Sequence, residues 1–105
     1  MNITWTEFAK DNLKDIFNFY SKTVSKKVAH KIRKQILNST NRLNKNPEIG
    51  QIEFYLEKLK ENHRYILSGN YKVIYKIEDS KIIITDVFDV RQNPDKINDI
   101  TRRNN

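Results

Sequence analysis

The stretch Tyr71–Pro94 reads YKVIYKIEDSKIIITDVFDVRQNP, and it decides how the rest of the chain must fold. In its first part, alternate residues share one face of a strand, as on a half-covered sheet. That face carries Tyr71, Val73, Tyr75 and Ile77. Residues 78–81 then turn the chain into the strongly apolar run Ile82–Val90, which is typical of a central, well-covered strand. The stretch therefore predicts an antiparallel hairpin that ends in the polar residues RQNP.

Two further strands are predicted around this hairpin. His63–Leu67 leads into it through a Gly-Asn pair, which suits a tight turn with positive φ. Near the amino terminus, Ile3 and Trp5 alternate with polar neighbours in a short opening strand. Between residues 51 and 62 the pattern weakens, which indicates a loop or a short helical turn pinned to the core.

Two amphipathic helices, about Glu7–Lys22 and Ser25–Asn44, fill the space between the opening strand and the weak region. Apolar residues at helical spacing mark them: Ala9, Leu13, Ile16, Phe17 and Tyr20 in the first, and Val28, Ile32, Ile36 and Leu43 in the second. The short break between them predicts a helical hairpin, whose apolar stripe needs a sheet to cover. The predicted fold is α+β, in the order β-α-α-β-β-β, with an antiparallel sheet and an N-terminal helical hairpin packed on it.

The length of 105 residues predicts a single domain spanning residues 1–105, with residues 95–105 as a short C-terminal tail or helix. There is no cysteine, which excludes disulfides and thiolate chemistry. No apolar run reaches membrane-spanning length, and the amino terminus lacks the features of a secretory signal. We therefore expect a cytoplasmic protein without a membrane partner.

The chain is basic, with 20 Lys and Arg against 13 Asp and Glu and a formal charge of +7. Such an excess favours anionic partners: nucleic acid, a nucleoprotein or an acidic protein segment. The second helix carries many of these cations: Lys26, Lys27, Lys31, Arg33, Lys34 and Arg42. We interpret them at this stage as a solvated helix face in preference to a nucleic-acid docking site.

Several chemistries are excluded by the residues that are present. With only Gly50 and Gly69, the chain has no glycine-rich phosphate loop. His30 and His63 lie in different elements without a spaced carboxylate, which argues against a metal site. The sequence therefore predicts neither a cofactor nor a metal.

Basic side chains on the sheet are the remaining candidates for chemistry, since clustered cations can hold a phosphodiester and stabilise its charge. The candidate catalytic residues are His63, Lys72 and Arg91. Arg91 also has a structural interpretation, because its donors could tie down the tail while Asn93 caps a helix with Pro94 at its first position. We favour this anchoring role for Arg91.

Four segments, in their order and spacing, resemble the RelE/ParE toxin superfamily. They are WxxxAxxxL from Trp5, NPEIG from Asn46, GNYKVIY from Gly69 and VFDVRQNP from Val87. The resemblance spans about residues 3–97, nearly the whole chain. It implies a type II toxin–antitoxin system, in which a cognate acidic antitoxin holds a small basic toxin inactive.

Two branches of that superfamily differ in their target: one cleaves messenger RNA in the ribosomal A site, and the other poisons DNA gyrase. The nuclease branch uses second-strand lysines, a basic residue after the hairpin tyrosine, a closing arginine and a later tyrosine or histidine. The matching positions here are His63 and Tyr65, then Lys72, then Arg91, and lastly a position near Ile97. No tyrosine or histidine follows Arg91, so the resemblance is closer to ParE-like members.

This difference has a chemical consequence. Cleavage of RNA through its 2′-hydroxyl needs a proton acceptor and a proton donor, and Lys and Arg are poor bases near their usual pKa. His63 is the one good candidate that is left. Whether the chain is an enzyme stays open at this point.

The resemblance predicts a ParE-like toxin that inhibits growth by poisoning DNA gyrase and contributes to plasmid stabilisation. The alternatives are a ribosome-dependent messenger RNA endoribonuclease and a non-toxic binding module on the same fold. The residues predicted to contact the target or the antitoxin are Arg64, Tyr65, Lys72, Arg91, Gln92 and Asn93.

Overall fold

One five-stranded sheet, in the order β1-β5-β4-β3-β2, runs through the computed structural model, which describes residues 1–103. The strands are β1 (Asn2–Trp5), β2 (Gln51–Ile52), β3 (Arg64–Ser68), β4 (Tyr71–Glu78) and β5 (Lys81–Asp89). The helices are α1 (Glu7–Thr23), α2 (Lys26–Thr40) and α3 (Ile100–Arg103), with short 3₁₀ helices at Asn41–Asn44, Phe54–Leu59 and Pro94–Asn98. Among these residues, no helix is long and apolar enough to cross a membrane.

The α+β class and the order of the predicted elements are confirmed. The sheet is mixed, however, because β1 pairs in parallel with β5 while the pairs β2–β3, β3–β4 and β4–β5 are antiparallel. The two-residue β2 was not predicted, since so short a strand carries no periodic signal. It occupies the weak region of the sequence, together with the 3₁₀ helix whose Leu56 is buried.

Both long helices begin directly after a capping side chain. The Thr6 hydroxyl accepts a hydrogen bond from the Ala9 amide at 3.1 Å, and the Ser25 hydroxyl accepts one from the Val28 amide at 3.1 Å. Each cap satisfies an amide that has no partner inside the helix. The second helix ends earlier than predicted, because its last turn tightens into the 3₁₀ helix Asn41–Asn44.

Two apolar cores lie on opposite faces of the sheet. The larger one lies under α1 and α2 and includes Ile36, Val73, Tyr75, Ile84 and Val87. The smaller one joins the sheet to two of the 3₁₀ helices and consists of Leu56, Ile74, Phe88 and Ile97, with Tyr65 packed against it. The predicted face of β4 thus meets the helices, and the opposite face is covered as well.

A β-bulge in β5 determines which of its side chains reach each of the two cores. In the ladder with β4, Ile74 pairs with Asp86 and Tyr75 pairs with Ile84, so Thr85 has no partner on β4. One extra residue in a strand shifts the alternation of side chains beyond it. For this reason Ile84 and Val87, three residues apart, both reach the helix-side core.

The segment NPEIG is held against the sheet by the hydroxyl of Tyr75. That hydroxyl accepts a hydrogen bond from the Gly50 amide at 2.9 Å and donates one to the Pro47 carbonyl at 2.7 Å. A Cβ atom at position 50 would lie 2.6 Å from the same oxygen, so only glycine fits. The side chain of Tyr75 is fully buried, and burial raises its pKa.

We predict that Tyr75→Phe lowers the free energy of unfolding by about 1–3 kcal/mol, because the Gly50 amide and the Pro47 carbonyl lose their buried partner. Chemical denaturation measures this change. The matched control is Tyr55→Phe, at an exposed ring, which should alter stability by less than about 0.5 kcal/mol. A Tyr75→Phe protein as stable as the control would show that this hydroxyl does not hold the loop.

Candidate functional site

The polar end of β5 is organised around an ion pair between Arg91 and Asp89. The Arg91 guanidinium donates from Nε and Nη2 to the two carboxylate oxygens of Asp89, at 2.9 and 2.7 Å. The Arg91 amide adds a bond of 2.9 Å to the same carboxylate. These hydrogen bonds hold the pKa of Asp89 below its ordinary value. The guanidinium itself stays more than half exposed.

Two tyrosines join this ion pair to the helical hairpin. The Tyr71 hydroxyl donates to the Tyr20 hydroxyl at 3.2 Å, and Tyr20 interacts electrostatically with Arg91. Burial raises the pKa of Tyr71, and the bond to Tyr20 raises it further. The Tyr71 phenol is therefore uncharged at neutral pH.

Arg91 lies at the rim of an open cleft of about 340 Å³ between α1 and the end of β5, which we call the C-terminal cleft. Its lining residues are Asn12, Asp15, Ile16, Phe19, Tyr71, Val87, Asp89, Arg91, Gln92 and Arg102. The cleft thus brings Arg91 and Gln92, two of the predicted contact residues, onto one surface.

The C-terminal segment, residues 94–103, is anchored by Arg102 and not by Arg91. Arg102 donates to both carboxylate oxygens of the fully buried Asp86, at 2.9 and 3.1 Å, and Asn12 donates to the same carboxylate at 2.8 Å. The guanidinium also lies near the rings of Phe8 and Phe88, about 5 Å from each. The predicted anchoring role of Arg91 is wrong, because its guanidinium is used by the carboxylate of Asp89.

The start of the C-terminal segment does follow the sequence prediction. Asn93 caps the 3₁₀ helix by accepting a hydrogen bond from the Asp95 amide at 3.0 Å, and Pro94 occupies its first position. Ile97 is fully buried in the smaller core. The segment is thus held at two points, by an apolar side chain and by Arg102.

Lys72 lies on the opposite face of the sheet from Arg91. Its ammonium group donates to the buried carboxylate of Glu53 at 2.9 Å and lies 4.2 Å from the centre of the Tyr65 ring. Tyr65 in turn donates its hydroxyl to Gln51 at 3.1 Å. The structure brings Lys72 and Tyr65 together, as predicted for neighbouring strands, and occupies the lysine with an internal carboxylate.

The other two predicted residues support the chain around β2. His63 is only 5% exposed, and its carbonyl accepts the Glu53 amide at 2.8 Å. Arg64 donates from Nη1 to the carbonyls of Gly50 and Glu48, at 2.8 and 3.2 Å. The candidate residues His63, Lys72 and Arg91 are therefore not gathered at one surface.

The contacts of Glu53 and Arg102 with their partners are not predicted from the sequence. Glu53 and Arg102 meet partners that are 19 and 16 residues away, so no local spacing signals either pair. Within residues 1–103 there is no group of three or more His, Cys, Asp or Glu side chains that could hold a metal.

The family model of the ParE toxin of type II toxin–antitoxin systems, parDE, matches residues 3–94 of the chain. The chain belongs to the ParE toxin family. The match includes the ion pair of Asp89 and Arg91 and ends before Arg102, so the anchor of the C-terminal segment lies outside the matched residues. A comparison with curated protein sequences gave no match.

A solved structure described as the chromosomal ParDE toxin–antitoxin system from P. aeruginosa has the same fold. It superposes with a TM-score of 0.73 at 17% sequence identity, covering 86% of this chain and 96% of that chain. At this low identity the likeness supports the architecture described above and not the roles of individual side chains.

We predict that Arg102→Ala releases the C-terminal segment, because it leaves the buried Asp86 without its charged partner. Breaking a buried ion pair costs of the order of 3 kcal/mol. Hydrogen exchange measured on residues 94–103 should rise sharply in this variant. Arg91→Ala is the control, and it should leave exchange in the segment close to that of the unmodified chain. Equal release by both variants would restore an anchoring role to Arg91.

The Asp89–Arg91 pair should make stability depend on acid pH. Since the pKa of Asp89 is lowered in the folded state, its contribution is complete above the unfolded-state value near 4 and is lost as the pH falls through the lower folded-state value. Asp89→Asn should therefore be less stable than the unmodified chain at pH 7, and the difference should shrink below about pH 4. Arg91→Gln should remove the same pH-dependent component. A stability difference that is constant from pH 7 to about pH 2 would contradict this prediction.

Proposed function

We propose that this chain is the toxin of a type II toxin–antitoxin pair, that a cognate acidic antitoxin holds it inactive, and that it inhibits growth by binding DNA gyrase. Membership of the ParE toxin family supports the first part. The observation that carries the choice of mechanism is the separation of the candidate catalytic residues. Arg91 pairs with Asp89 at the end of β5, Lys72 pairs with Glu53 on the other face of the sheet, and His63 is buried.

Phosphodiester cleavage needs a proton acceptor that can reach the substrate. His63 is the candidate with a suitable ordinary pKa, and its side chain is almost completely buried. Lys72 is neutralised by Glu53, and it faces away from the sheet surface where Arg91 contacts Tyr20. This arrangement supports action by binding rather than by RNA cleavage.

The proposed antitoxin contact is an apolar groove of about 380 Å³ at the outer side of the helical hairpin, which we call the hairpin groove. Its lining residues are Trp5, Lys10, Leu13, Lys14, Phe17, Arg33 and Leu37. The apolar side chains would accept bulky residues of a partner, and the three cations would pair with its acidic ones. The P. aeruginosa structure is described as a ParDE toxin–antitoxin system, which supports an antitoxin as the partner.

The experiment compares the two targets directly. The purified chain is added to a DNA gyrase supercoiling assay and, separately, to ribosomes that translate a defined messenger RNA. We expect inhibition of supercoiling and an intact messenger. Cleavage of the messenger, lost in Arg91→Lys, would move the function to the ribosome-dependent nucleases. Inactivity in both assays, together with normal growth on induction in cells, would favour the non-toxic binding module.

A further inference from the structure

The positive charge of the chain is concentrated in one segment. Residues 16–47 contain eight Lys and Arg and no Asp or Glu. They are Lys22, Lys26, Lys27, Lys31, Arg33, Lys34, Arg42 and Lys45. The other 12 of the 20 basic residues are outnumbered by the 13 acidic ones, so the net charge of +7 arises entirely from this segment. A surface charged only for solubility would mix both signs.

The cations of this segment face solvent without acidic partners. All eight are exposed except Arg33, which is partly buried against the Phe17 ring of α1. Among residues 1–103, none of the eight forms a salt bridge, whereas Lys10, Lys72 and Lys76 each pair with a glutamate. The fold therefore pairs several cations elsewhere with carboxylates and pairs none of these eight.

Three of the lysines form a row along α2. Lys27, Lys31 and Lys34 are spaced i, i+4 and i+7, on the side of the helix away from the buried Ala29 and Ile36. At a rise of 1.5 Å per residue the row is about 10 Å long. We call this row, together with the exposed Lys26 that precedes it, the α2 basic face.

Helix stability does not explain these residues. Lys26 and Lys27 lie in the first turn of α2, where the helix dipole disfavours cations, and that turn contains no acidic residue. By contrast, Glu7 lies in the first turn of α1. An external anion at the α2 basic face would offset this local cost.

The composition of the face distinguishes between classes of anionic partner. Protein interfaces are depleted in lysine and enriched in aromatic residues, and single-stranded nucleic acids bind by stacking on aromatic rings. The row Lys27–Lys31–Lys34 has no aromatic side chain, and the next position on the same side is Asn38. Lysines and small polar groups are what the phosphate backbone of a duplex requires.

We propose that the α2 basic face binds the phosphate backbone of duplex DNA without reading its sequence. The duplex offers one negative charge per about 1.7 Å of its axis, which the row of lysines can contact at several phosphates. This inference does not depend on gyrase being the target, since it rests on the charge distribution of the chain alone.

The test measures binding of the purified chain to a fluorescent duplex of about 30 base pairs, by anisotropy, over a range of salt concentrations. The variant is Lys27→Gln/Lys31→Gln/Lys34→Gln. The matched control is Lys58→Gln/Lys81→Gln/Lys96→Gln, which removes the same charge from exposed lysines elsewhere. Circular dichroism and thermal melting verify that both proteins are folded.

We expect the α2 variant to bind the duplex at least about tenfold more weakly than the control. We also expect its plot of log K against log salt to be less steep by about 2–3. Equal affinities of the two variants would overturn the proposal. Tighter binding of a single strand than of the duplex would also overturn it. So would displacement of the labelled duplex by polyglutamate as efficiently as by unlabelled duplex at the same concentration of charge.

Discussion

The extra residue Thr85 in β5 is the constraint on which the rest of the structure depends. Without it, Ile84 and Val87 would point to opposite faces, and the larger core would lose one of its side chains. The bulge also sets the direction of Asp86, which meets Asn12 of α1 and Arg102 of the C-terminal segment. Strand β5 can therefore bury its apolar residues on both faces and still offer a carboxylate at the point where helix and segment come together.

Buried carboxylates attach the irregular parts of the chain to the sheet. Asp86 receives Arg102, and Glu53 receives Lys72, while both acids are almost inaccessible to solvent. A buried charge is costly unless it is paired, so each acid restricts where its partner can lie. The consequence for function is direct, since Lys72 and Arg102 are used to hold the fold. Unpaired cations of the helical hairpin, by contrast, remain available to a partner.

Sequence patterns predicted the local features and missed those that depend on distant pairs. The two long helices, the hairpin of β4 and β5 and the cap at Asn93 follow from spacing within a few residues. The parallel pairing of β1, the bulge at Thr85 and the anchor Arg102 depend on residues brought together by folding. Arg91 was given the anchoring role because it ends an apolar strand. Instead, its guanidinium forms a bidentate ion pair with Asp89, two residues earlier.

Two surfaces of the helical hairpin share one electrostatic field. Arg33 lines the hairpin groove with Lys10 and Lys14, and it also belongs to α2, whose outer side carries the lysine row. Charges interact across about 8–10 Å at physiological ionic strength, which is comparable to the width of a helix. An acidic segment in the groove would therefore lower the positive potential over the α2 basic face. By linkage, a duplex on that face would weaken binding of the acidic segment by the same factor. Inhibition of the toxin by its antitoxin and attraction of the toxin to DNA would then oppose each other through charge alone, without any change in the fold.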